Sequence, residues 1–159
     1  MHEVPDPLAP PESWEQSGAV RLLFRFSDAV DERRPSHVSQ AFTDSGLFRI
    51  GKVEMRGRAA IEAFYVSRLS DKRRRTRHIW SNIESRIVDA AEVRIRAVLT
   101  NYAFEPEVSE SHLQMRIGNV DARCLSDAEG RWRFEEHLYE RVLSAMLPMG
   151  VAAGSAQGT

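Results

Sequence analysis

The chain has 159 residues, 42% hydrophobic and 28% charged, ordinary proportions for one folded domain with its own core and unlike a disordered chain. Lysine and arginine number 22 against 23 aspartates and glutamates, so there is none of the basic excess by which a nucleic-acid-binding protein is recognised. The lone cysteine, Cys124, excludes an intramolecular disulfide and a multi-cysteine metal site, and no apolar run reaches the roughly 20 residues of a membrane span.

Met1 to Asp6 has neither the basic start nor the apolar stretch of a signal peptide, so a soluble, cytoplasmic protein is expected. Pro5, Pro7, Pro10 and Pro11 make residues 1–12 an extended N-terminal arm. From Trp14 to Val30, Ala19, Leu23, Phe26 and Val30 recur at helical spacing and give one buried stripe. Pro35 opens a second, short helix carrying Val38, Ala41 and Phe42. Leu47 to Ile50, the Gly51-Lys52 turn and Val53 to Met55 read as a small hairpin. Gly57 precedes a third helix, with Ile61, Phe64, Tyr65 and Leu69 on one face.

After Arg75 the period changes to that of strands. Arg77 to Val88 alternates, with Ile79, Ile83 and Ile87 on one parity and His78, Trp80 and Asn82 on the other. Strands over Glu92–Phe104, His112–Leu125 and Arg131–Val142 follow, joined by Asp89-Ala90-Ala91, a polar loop and the Asp127–Gly130 turn. Three helices, a hairpin and a meander of long strands predict an α+β domain over residues 13–147: a strongly curved antiparallel sheet wrapped by N-terminal helices around a pocket. Residues 148–159, mostly Gly, Ala and Ser, are expected to be a flexible tail.

Several short motifs, in this order and spacing, resemble the SnoaL-like polyketide cyclase group, within the superfamily of cone-shaped domains named after nuclear transport factor two. They are Asp28-Ala29-Val30-Asp31-Glu32-Arg33-Arg34, Ala41-Phe42-Thr43-Asp44, Arg56-Gly57-Arg58-Ala59-Ala60-Ile61 and Thr76-Arg77-His78-Ile79-Trp80-Ser81-Asn82. The same stretch resembles scytalone dehydratase and hexachlorocyclohexane dehydrochlorinase, and that resemblance implies a His-Asp dyad formed by His78 and Asp31. Such a pair is chemically sensible: an imidazole takes a proton from a carbon acid, and a buried carboxylate fixes its tautomer and steadies the imidazolium. Elimination, isomerisation and cyclisation all fit. The bland reading, a hydrogen-bonded structural histidine beside a helix-terminal Asp31, stands next to it.

His137 falls where the dehydrochlorinase carries a pocket cation, so the resemblance implies that it binds or polarises the substrate. Its parity opposes that of Trp132 and Phe134 unless a bulge intervenes. Two departures stand out: Phe26 replaces a basic pocket residue, and the water-holding tyrosines of scytalone dehydratase have no clear match. Asn82 shares parity with His78 and is a candidate substrate contact. Trp80, Phe48, Phe64, Tyr65, Tyr102 and Met115 are candidates for an apolar pocket wall, with core packing as the alternative for each. The run Lys72-Arg73-Arg74-Arg75-Thr76-Arg77 could attract an anion but reads first as a solvated loop. His2, His37, His78, His112 and His137 lack metal-ligand spacing, and no phosphate loop, serine elbow or dinucleotide fingerprint occurs, so no metal or cofactor is expected.

The resemblance thus implies a cofactor-independent lyase, isomerase or cyclase acting on a small apolar or aromatic molecule, assembled as a dimer or trimer. Thr76 to Asn82 and Gly118 to Arg123 also resemble the β subunit of ring-hydroxylating dioxygenases, which is structural and not catalytic. A small-ligand-binding module is the third reading.

Overall fold

A computed structural model describes residues 14–150, with the backbone alone for residues 14–17. The expected arm, residues 1–12, and the part of the tail beyond Gly150 lie outside the described residues. Three helices and six strands follow in the order α1 (Trp14–Asp31), α2 (Pro35–Gln40), β1 (Phe42–Ile50), β2 (Val53–Arg56), α3 (Arg58–Arg68), β3 (Arg75–Asp89), β4 (Glu92–Phe104), β5 (His112–Ser126) and β6 (Trp132–Pro148). The strands form one curved, unclosed sheet in the order β2-β1-β6-β5-β4-β3. Every neighbouring pair is antiparallel except β1 and β6, which run parallel.

Sequence chemistry accounts for most element ends. Pro35 stands at the start of α2, where its missing N–H costs nothing. Gly51 at φ 58° turns β1 into β2, and Gly57 at φ 83° leads into α3. Phe42, assigned by periodicity to α2, instead opens β1 five residues before the expected Leu47. It pairs in register with Phe134, and the Phe134 amide donates to the Ala41 carbonyl at 2.8 Å. A partner 92 residues away decides that boundary. The last strand likewise runs on to Pro148, because residues 143–148 pair with β5.

Ala19, Leu22, Leu23, Phe26, Ala29 and Val30 bury one face of α1 against the inner face of the sheet. Phe26 lies at the centre, its ring edge-on to Phe42, Phe48, Tyr65 and Phe134 at 5.7–6.3 Å. Burying side chains of this size contributes roughly 1.5–3 kcal/mol each. Gly118 on β5 lets Tyr139 of β6 close over it: a Cβ there would overlap the Tyr139 ring and the Glu140 carbonyl.

Two of the bulges in the sheet re-aim the strands at the site. In β3, Asn82 and Ile83 together oppose the single residue Ala97, between the pairs Ser81–Val98 and Glu84–Arg96, and Asn82 has φ 50°. His78 and Trp80 therefore share the inner face with Ile83 and Ile87. Ile79, grouped with those isoleucines by simple alternation, is 53% exposed on the outer face. In β6, Glu135 is the extra residue between Phe134, paired with Cys124, and Glu136, paired with Arg123. Phe134 and His137 consequently face the same way, with ring centroids 5.0 Å apart.

Candidate active site

The end of α1 fixes the first component. Arg33 adopts left-handed backbone at φ 62°; its amide bonds the Val30 carbonyl and the Arg34 amide the Ala29 carbonyl, the pattern of a Schellman cap. The Arg33 guanidinium then donates to the carbonyls of Leu69 at 2.5 Å and Arg74 at 2.9 Å, tying this corner to the segment between α3 and β3. Two residues back, Asp31 meets β3. Its Oδ1 accepts from Thr76 Oγ1 at 2.7 Å and lies 2.6 Å from His78 Nδ1, while Oδ2 accepts the His78 backbone N–H at 3.0 Å.

Both side chains of this pair are 11% exposed. Burial by itself would raise the Asp31 pKa. The His78 ring, the Thr76 hydroxyl and the His78 amide outweigh it, and the net shift is downward. An ionised carboxylate only accepts, so His78 Nδ1 carries the proton and Nε2 carries the lone pair. Asn101 Nδ2 on β4 lies 2.9 Å from Nε2 and donates to it. Asp31, His78 and Asn101 thus form a continuous chain that selects one histidine tautomer.

His78 and Asn101 line a cavity of about 90 Å³, with Phe26, Phe48, Leu99, His137 and Tyr139 around it and Arg68, Arg74 and Arg116 along one side. His137 is 1% exposed. Its ring packs against Phe26 at 4.9 Å and Phe48 at 5.3 Å. Burial, with His78 nearby, pushes its pKa down to about 3, so it is a neutral imidazole near pH 7. It offers one N–H donor and one lone pair. Among the described residues, the buried side-chain polar atoms without a hydrogen-bond partner are both His137 nitrogens, the Tyr139 hydroxyl and Arg74 Nη1. All three residues line this cavity. Because unpaired buried polar atoms are rare and costly, their concentration at one place points to a site for a ligand.

The other sequence candidates separate. Phe48 and Tyr65 line the cavity. Phe64 packs edge-on against Tyr65 at 5.2 Å but borders a second, more open basin of about 360 Å³. Trp80 is a packing residue: its indole N–H donates to Ser27 Oγ at 2.6 Å, and its ring lies 6.2 Å from His137 without reaching the cavity wall. Asn82 does not contact the cavity; the β3 bulge turns it to the outer face, where it lines a groove with Arg49 and Glu84. Tyr102 and Met115 pair with each other on the outer face, since β4 and β5 bury the opposite parity. That parity puts their neighbours Asn101 and Arg116 at the cavity instead. The basic run is not wholly solvated either, for Arg74 is 7% exposed and paired to Glu105 at 2.7 Å. Asn101 was legible as the polar residue at the end of the apolar parity Val93, Ile95, Ala97, Leu99; Arg68, Arg116 and Tyr139 carried no comparable signal.

Solved structures share this fold. A proposed scytalone dehydratase from Novosphingobium aromaticivorans superposes with a TM-score of 0.74 at 20% identity, over 87% of this chain and 95% of that one. A type 2 hexachlorocyclohexane dehydrochlorinase does so with 0.74 at 15%, over 87% and 94%. A ketosteroid isomerase-like protein from Erwinia carotovora atroseptica gives 0.70 at 13%, over 82% and 98%. No curated protein matches the sequence significantly. The SnoaL-like domain profile matches residues 12–137, and with that match, on this fold, the chain belongs to the SnoaL-like family of the nuclear transport factor two-like superfamily.

Proposed function

We propose that the protein is a cofactor-independent proton-transfer enzyme, of lyase, isomerase or cyclase type, acting on a small molecule held in the cavity. The observation that carries this is the Asp31–His78–Asn101 chain, which leaves a single basic nitrogen, His78 Nε2, at the cavity wall. The dehydratase, dehydrochlorinase and isomerase-like proteins that share the fold support the same class of chemistry.

In this reading the substrate C–H approaches Nε2 as the Asn101 amide turns away from it. The C–H electron pair passes to the substrate, the proton goes to Nε2, and Asp31 stabilises the resulting imidazolium. Return of that proton to another carbon completes an isomerisation; its delivery to a departing hydroxyl completes a dehydration. His137 and Tyr139, neutral and unpaired, are placed to hydrogen-bond a substrate oxygen, an interaction strengthened by the water-poor surroundings. At about 90 Å³ the cavity is smaller than the roughly 150 Å³ apolar cavity that takes benzene, so an aromatic substrate would extend into the neighbouring basin. A dimer or trimer is part of the same reading.

Deuterium uptake from D2O into a panel of small enolisable ketones and acids, followed by NMR, tests it. Wild type is expected to exchange at least one of them. His78→Gln should abolish exchange, and Asp31→Asn should lower kcat by about 10²–10⁴ with KM little changed. Exchange that survives His78→Gln removes the base, and no exchange in wild type passes the chain to the binding-module or structural-subunit readings.

A further inference from the structure

The polar side of the cavity is cationic. Arg68 is the last residue of α3, Arg74 immediately precedes β3, and Arg116 lies on β5; among the described residues no carboxylate lines the cavity with them. All three converge on Glu105, just beyond β4. Arg74 Nη2 is 2.7 Å and Arg68 Nη2 3.0 Å from Oε1, and Arg116 Nη2 is 2.7 Å from Oε2. One carboxylate faces three guanidiniums, and even with the Asp31 carboxylate behind His78 counted, positive charge remains in excess beside the cavity. The donors are in excess too: each guanidinium carries five N–H groups, and Glu105 Oε2 also accepts from Gln114 Nε2. The Arg74 side chain is 8% exposed, and its Nη1 is buried without a partner. Burial, together with the neighbouring Arg74 and Arg116 charges, lowers the pKa of Arg68 against the opposing charge of Glu105. A fold-stabilising ion pair needs no such surplus.

We propose that the cavity takes an anionic substrate, a small carboxylic acid whose carboxylate docks on Arg74 between Arg68 and Arg116. Its carbon chain lies against Phe26 and Phe48, and its reactive carbon faces His78. Only that last orientation rests on the proton-transfer reading. The carboxylate sits on the inner side of Arg74, because the outer basin shared by Arg68 and Arg74 carries Asp71, Glu105 and Glu107. It supplies binding and position. A carboxylate alone barely acidifies its α-carbon, so the proton removed lies on a carbon activated by a further group.

Butyrate and its neutral isostere butyramide are the probes, titrated into the full chain and followed through the amide NMR signals of Asn101 and His137. Butyrate is expected to bind at least about tenfold more tightly than butyramide, the scale of one charge-assisted contact in a dry site. Arg74→Gln should remove most of that preference while leaving butyramide unchanged. Arg68→Gln, at a side chain 39% exposed, should reduce it and decides the matter if Arg74→Gln does not fold. Equal affinity for the two probes, including no detectable binding of either, overturns the proposal, as does a preference that survives both substitutions. Butyrate affinity is read on wild type and the arginine variants and deuterium exchange on wild type, so the two readings fail separately. Anion binding without deuterium exchange would therefore remove the proton-transfer reading and keep the anion site.

Discussion

A neutral histidine can carry its proton on either ring nitrogen, and its surroundings choose. At His78 the choice is made by Asp31, which holds Nδ1, and it leaves Nε2 to Asn101 and the cavity. At His137 there is no such partner, and burial among Phe26, Phe42, Phe48 and Phe134 keeps the ring neutral. That difference has a consequence for stability. The unfolded chain protonates His137 below its ordinary 6.5, whereas the folded chain resists until about 3, so the unfolded state binds more protons throughout that window. The His137 contribution to stability is fully present above 6.5 and falls as the pH drops below it, with a slope approaching about 1.4 kcal/mol per pH unit. Asp31 and Glu105, whose pKa values are lowered, begin to cost stability only below about 4. Urea unfolding at pH 7, 6 and 5 measures this directly. His137→Phe should flatten the slope and leave stability at pH 7 equal or higher, because it removes two unpaired buried nitrogens from an aromatic cluster.

Among the elements, the two bulges do most to assemble the site. Alternation along β3 was readable, and so was the condition that His137 needs a bulge in β6. What local pattern does not contain is where an extra residue enters a ladder, since that depends on the partner strand's register. Asn82 illustrates the point. Its parity with His78 was a sound inference for a regular strand, but its left-handed backbone turns it to the outer face. Asn82→Gly is expected to fold as well as wild type. Asn82→Val, β-branched at positive φ, should cost about 1–2 kcal/mol in urea unfolding. Neither should change KM; a raised KM in the glycine variant would return Asn82 to the cavity.

Over the whole molecule, Glu105 joins parts of the chain that have no local reason to meet: the end of α3, the start of β3, and β5. Burial opposes its ionisation, yet hydrogen bonds from Arg116 and Arg74 and the charge of Arg68 hold its pKa at about 2. Glu105→Gln would leave three guanidiniums crowded without a counter-charge. The expected loss is about 3 kcal/mol, below the full value for a buried pair because Arg68 is partly solvated. Added sulfate should restore part of it, read as a rise in Tm that an equal ionic strength of sodium chloride does not give.

By itself the sequence determined the three helices, the hairpin, the meander of long strands and the motif order of a SnoaL-like domain. Amphipathic period, proline and glycine are local properties that bias φ and ψ wherever they occur. It also carried the candidate pairing of Asp31 with His78, through the resemblance. Only the tertiary structure decided that Phe42 belongs to a strand, that Asn101 and Arg116 face the cavity in place of Tyr102 and Met115, and that Arg74 leaves the solvated run to be buried beside Glu105. Each of those outcomes turns on a register, a bulge or a distant counter-charge. Such contacts are set by which segments pair across the fold, and a linear pattern holds no record of them until the sheet is assembled.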